Sequence, residues 1–145
     1  MLKNLPKDFI WGTATAAHQV EGNNTNSDFW HLEHTKDTTF AEPSGIACDQ
    51  WNKYEEDIDI MADHSIQAYR LSVEWARIET SEGEFSLEAI DHYKKVLDEC
   101  RKKGWKTCVT LQHFTSPLLF TARGGWENQD NVDLFVRYSE KVSKE

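Results

Sequence analysis

Residues 9–22 read FIWGTATAAHQVEG. Phe9, Ile10 and Trp11 are apolar and favour a strand. Gly12 to Ala17 are small. His18, Gln19 and Glu21 then crowd three hydrogen-bonding side chains together before Gly22. A surface loop does not need that arrangement, whereas a binding site at the end of a strand does. The run therefore predicts a strand over about Phe9–Ala14 that delivers a polar cluster. Ala14, Ala16 and Ala17 fit either of two readings: close packing of strand on helix, or a floor low enough for a ligand to reach the backbone.

The same pattern recurs twice downstream. AYRLSVEW (Ala68–Trp75) and WKTCVTLQH (Trp105–His113) read as strands. Each ends in polar residues: Arg70, Ser72 and Glu74 in one, and Gln112 and His113 followed by Phe114 in the other. A helical stretch follows each strand. Before the second strand, Trp51, Tyr54, Ile58 and Met61 recur at helical spacing, with Asp49 as candidate N-cap or first-turn acid. In SLEAIDHYKKVLDECRKKG, Ser86 caps, Gly104 terminates, and Leu87, Ile90, Tyr93, Leu97 and Cys100 form the expected stripe. A last helix is expected on Val132, Phe135, Tyr138 (or Ser139) and Val142. Residues 23–45 and 114–129 read as long connections, and 80–85 as a turn.

Alternation of strand and helix points to an α/β chain with parallel strands joined by crossover helices. Ligands of such folds bind at the carboxyl ends of the strands. The three polar clusters thus predict one shared site.

Composition narrows the partners. The chain has 145 residues, with 16 Lys+Arg against 25 Asp+Glu, for a formal net charge of −9. That balance argues against nucleic acid, which needs a basic face. No apolar run approaches the ~20 residues of a membrane helix, and the first residues lack a signal-peptide core. Cytoplasmic placement is the expectation. Cys48, Cys100 and Cys108 are odd in number and lack C-x-x-C spacing, which predicts free thiols and no zinc site. The six histidines show no paired ligand spacing, so neither metal nor cofactor is expected. Six tryptophans fit a bulky core or, alternatively, platforms for stacking on a pyranose.

Arg70 interrupts an apolar run, and a buried guanidinium must be paired. It holds a carboxylate of the site, or it forms a structural ion pair with Glu74 or another acid. His113 is either a donor to a ligand hydroxyl or a structural strand-end histidine.

Five segments together resemble glycoside hydrolase family 1, the β-glucosidase and β-galactosidase family. They are DFIWGTATAAHQVEG, AYRLSVEWARIE, VTLQHFTSPLLF, GGWEN and, in a form similar to an archaeal-like branch, TNSDFWHLEH. The resemblance runs along nearly the whole chain. It implies part of a (β/α)8 TIM barrel, about the first three β/α units over residues 1–145, without a second domain. It implies retaining hydrolysis of β-linked sugars or oligosaccharides. By position, Gln19 and His113 would bond hydroxyls of the non-reducing sugar, and Phe114 would lie where relatives hold a Trp against it. Arg70 would sit beside the nucleophilic carboxylate and orient it, and Trp126 would be a structural aromatic.

The resemblance is incomplete. Ser65 stands for a usual Gly, His64 for Leu, Thr80 for Pro and Leu119 for Trp. A whole barrel takes about 250 residues. The family's acid/base Glu, in an Asn-Glu-Pro motif after the fourth strand, and its nucleophile after the seventh have no counterpart here. Retention needs two carboxyl groups about 5–5.5 Å apart, which Glu21 and Glu74 are not expected to supply. The chain is therefore expected to be inactive alone, with Leu71, Val73, Val109 and Leu111 incompletely covered and an open third strand. It would self-associate or pair with the rest of a barrel. The alternatives are a non-catalytic carbohydrate-binding or interaction protein, or an unstable truncated product.

Overall fold

A computed structural model describes residues 5–145. Three strands form a parallel sheet in the order β1 (Gly12–Ala14), β2 (Ala68–Ser72) and a strand over Lys106–Thr110. Register is continuous: Ala14 lies beside Arg70, and Arg70 beside Cys108. Between β1 and β2 come α1 (Ala17–Val20), α2 (Asp28–Glu33) and α3 (Gln50–Asp63). After β2 come α4 (Trp75–Ile78), the hairpin β3 (Glu79–Ser81) and β4 (Glu84–Phe85), and α5 (Leu87–Lys102). The Lys106–Thr110 strand is β5. It leads to α6 (Leu118–Thr121), two 3-10 turns and α7 (Val132–Ser143).

The helix signals hold for α5. Ser86 accepts the Ala89 N–H at 3.1 Å, and Gly104 ends the helix at φ +74°. Its buried stripe is Ala89, Ile90, Tyr93, Val96 and Cys100, while Leu87 stays 64% exposed. Leu87 is the first helical residue and projects past the core edge. At the start of α3, Asp49 occupies the N-cap position in a left-handed conformation, yet its carboxylate caps no amide; it accepts from the Asn52 side chain instead. On α7 the buried residues are Leu134 and Tyr138, and Val132 is exposed.

All strands are shorter than the sequence suggests. Phe9, Ile10 and Trp11 lie outside β1 and are exposed, with only the Trp11 carbonyl continuing the ladder to Gln67 and Ala68. The β2 run stops at Ser72, because Glu74 turns inward and caps α4 through the Ala76 N–H at 3.2 Å. The presumed loops carry α2, α6 and the β3–β4 hairpin.

Alternation along β2 decides the core. Tyr69 and Leu71 pack with Ile58 of α3 and with Val96 and Cys100 of α5. Val73 packs with Trp75, Ile78, Ile90, Tyr93, Phe120, Leu134 and Tyr138, and Val109 and Leu111 join from the β5 side. Helices thus cover one face only. Leu71 and Val73 point to that face and are buried, so two of the four apolar strand residues expected to be incompletely covered are covered. Val109 and Leu111 are half-buried on the same side. The uncovered face carries Ala14, Arg70 and Cys108 in one register row. The tryptophans divide: Trp75 is buried against Tyr138 at 4.9 Å, whereas Trp126 is exposed and rests edge-on against Phe120 and Phe135.

Candidate functional site

The strand ends are sewn together where the polar clusters sit. Thr15 N–H donates to Arg70 O at 3.0 Å, Ala17 N–H to Ser72 Oγ at 2.7 Å, and Val73 N–H to Thr110 O at 3.1 Å. Both readings of the small residues apply, at different positions. Ala16 and Ala17 are buried by close packing, and Ala14 is open on the uncovered face.

The short helix α1 separates two neighbours. Gln19 is exposed, with its side chain free of protein hydrogen bonds among the described residues. His18 is buried: Nε2 lies 2.8 Å from Glu33 Oε1, and Nδ1 lies 3.1 Å from Asn24 Nδ2. Glu33 also accepts the backbone N–H and hydroxyl of Ser44 at 2.9 and 2.8 Å. Burial pushes the Glu33 carboxyl up, but the bonds from Ser44 and His18 outweigh it and hold it below its ordinary range. This network pins the 23–45 segment behind Gln19.

Arg70 and His113 are brought into direct contact. Arg70 Nη1 lies 2.7 Å from His113 Nδ1 and 3.4 Å from Thr15 O. Among the described residues no carboxylate pairs with Arg70, so the structural ion pair with Glu74 does not form. Phe114 follows at φ +67°, 54% exposed, its ring centroid 4.2 Å from that of His113. The turn closes through Thr115 N–H donating to His113 O at 2.9 Å.

Behind the exposed residues lies a buried acidic network. Tyr93 Oη receives the Glu74 backbone N–H at 2.9 Å and donates to Glu21 at 2.9 Å. Arg77 pairs with Glu21 at 2.9 Å and lies 4.4 Å over the Trp51 ring, which stacks on His92 at 3.8 Å. Burial raises the Glu21 carboxyl to about 7, with Arg77 opposing and Glu74 adding to the rise. Burial likewise raises Glu74, against the bonds from Thr115 and Ala76. Both carboxylates are thus enclosed and spent on protein partners. Tyr93, Arg77 and Thr115 were not legible as site residues. Tyr93 matches the apolar stripe of α5, and nothing in its spacing reveals a partner 72 positions away.

Among the described residues no group of three His, Cys, Asp or Glu side chains is placed to hold a metal ion, and no helix is long and apolar enough to cross a membrane. Cys48, Cys100 and Cys108 are unpaired.

Comparison with known proteins finds β-glycosidase relatives. The chain is similar to beta-glucosidase A of Acetivibrio thermocellus, at 38% identity over 96% of this chain and 33% of that protein. It is equally similar to 6-phospho-beta-galactosidase 1 of Streptococcus pneumoniae, at 38% identity over 95% of this chain and 30% of that protein. The crystal structure of beta-glycosidase BGL167 superposes with a TM-score of 0.91 at 55% identity, covering 95% of this chain and 33% of that one. The chain spans about a third of the length of these relatives, as an N-terminal portion of their α/β barrel. The model of Glycosyl hydrolase family 1 matches residues 1–145, and the chain belongs to that family.

Proposed function

We infer that this chain, one domain over residues 1–145 carrying the first three β/α units of a (β/α)8 barrel, supplies the non-reducing-sugar subsite of a cytoplasmic retaining β-glycosidase. Gln19 and His113 bond sugar hydroxyls, Phe114 lies against the ring, and Arg70 stands ready to orient a nucleophilic carboxylate. The single observation that carries the reading is the bond from Arg70, on the uncovered face of β2, to His113, which lies just past the carboxyl end of the neighbouring parallel strand β5, where such folds bind ligands. The substrate class is a β-linked sugar or oligosaccharide.

These 145 residues alone hydrolyse no glycoside. Glu21 and Glu74 are both buried and engaged by Tyr93, Arg77 and Thr115, so neither serves as an attacking carboxylate or as an acid facing a sugar. The test pairs calorimetric titration with methyl β-glucoside and an aryl β-glucoside assay. Saturable binding that Gln19→Ala weakens, without turnover, is expected. Absence of binding overturns the subsite assignment. Turnover that disappears in Glu21→Gln or Glu74→Gln overturns the inactivity.

A further inference from the structure

The bond between Arg70 and His113 decides which proton His113 carries. A guanidinium keeps its charge and offers only donors, never an acceptor. A ring nitrogen 2.7 Å from Nη1 therefore accepts. An imidazole whose Nδ1 accepts holds its proton on Nε2. We propose that Arg70 is a positioning residue for His113, locking the neutral Nε2–H tautomer so that the ring presents one donor to a sugar oxygen. The consequence for sugar rests on the reading above; the tautomer itself does not.

The surroundings hold both partners in place. Arg70 sits in the middle of β2, between Tyr69 and Leu71, which are packed into the core on the opposite face. It cannot slide without moving them. His113 is gripped at Nδ1 by Arg70 and flanked by the Phe114 ring, within a turn closed by the Thr115 N–H. Among the described residues His113 Nε2 has no partner, which leaves its proton for a ligand. A donor there requires an acceptor in return. The site accordingly takes a hydroxyl oxygen at this position and rejects an ammonium, as in an amino sugar, because two donors would meet.

Nuclear magnetic resonance of the full chain, with histidine ring and arginine guanidinium nitrogens isotope-labelled, reads the tautomer without any sugar. His113 is assigned by the signal lost in His113→Gln. Wild type is expected to show a protonated Nε2 and a bare Nδ1. Arg70→Met should release the ring into a tautomer mixture, and Arg70→Lys, which restores a donor, should recover much of the Nε2–H form. A protonated Nδ1 or a mixture in wild type overturns the proposal, as does an unchanged tautomer in folded Arg70→Met. Should Arg70→Met not fold, coupling between Nη1 and Nδ1 across the hydrogen bond in wild type decides, and its absence overturns the proposal. Failure of the sugar titration leaves these spectra readable, so the two ideas fail separately.

Discussion

Thr115 donates its hydroxyl to Glu74 Oε2 at 2.7 Å, joining the turn that carries His113 and Phe114 to the end of β2. The bond is buried, and without it Glu74 would rely on the Ala76 amide alone. Thr115→Val keeps the shape and removes the donor. Leaving a buried carboxylate under-satisfied costs about 1–3 kcal/mol. Urea denaturation should show that loss, and titration with methyl β-glucoside should show weaker binding as the turn loosens. An unchanged stability together with unchanged affinity would contradict the anchoring role.

Glu21 predicts a pH dependence whose sign follows from its burial. Burial pushes its folded carboxyl up to about 7, above the ordinary value of 4.5. Between those two values the folded chain binds more protons than the unfolded one. Stability therefore falls as pH rises through that window, by on the order of 3 kcal/mol in total. Glu74, also raised, acts with the same sign. His92 acts oppositely: burial lowers it from 6.5 to about 4, so its contribution is lost as pH falls through that range. The readout is thus the difference between wild type and Glu21→Gln. Denaturation at about pH 5 and about pH 8 should find the variant gaining on wild type at the higher pH. A constant difference would show that Glu21 titrates normally.

Ser65 closes α3 in the left-handed region at φ +58°, donating its N–H to Ala62 O at 3.0 Å. A side chain there costs about 1–2 kcal/mol relative to glycine. The same job after α5 is done by Gly104 at φ +74°. Ser65→Gly should raise the melting temperature by several degrees while sugar affinity stays constant. A lower melting temperature would mean that the strain is offset elsewhere.

Self-association is expected from what the helices leave open. Among the described residues β1 and β5 each pair on one side only, so both present free edges. On α7, Val132 and Val136 are exposed beside half-buried Phe135. A parallel sheet is normally covered on both faces. Sedimentation of the chain should show concentration-dependent oligomers, reduced by Val136→Lys if α7 takes part. A monomer at all concentrations with a sharp, cooperative melt would refute the prediction.

Much of the architecture was written locally. Ser86 and Gly104 mark the ends of α5, and the order of strand and helix implies the parallel sheet. Gln19, His113 and Phe114 stand out because polar and aromatic side chains follow an apolar run, and Arg70 because it interrupts one; the roles proposed for them come from the family resemblance. Errors arose where two patterns compete. Leu87 matches the period of α5 but lies beyond the core edge, and Glu74 extends an apparent strand that the structure turns into the cap of α4. Leu71 and Val73, expected to be incompletely covered, are buried, because alternation along a strand says which residues share a face and not which face the helices cover.

By itself, then, the sequence determined the three main strands, the long helices α3, α5 and α7, their order and the residue types offered at each strand end, because propensity, capping and periodicity act within a few positions of the chain. Only the tertiary structure decided the partners. It gave Arg70 to His113 rather than Glu74, drew Tyr93 into contact with Glu21 and Glu74, and closed both carboxylates off from a ligand. Those choices join groups 19 to 72 positions apart. They depend on sheet register and helix placement, which bring distant side chains within the ~3 Å at which a hydrogen bond forms.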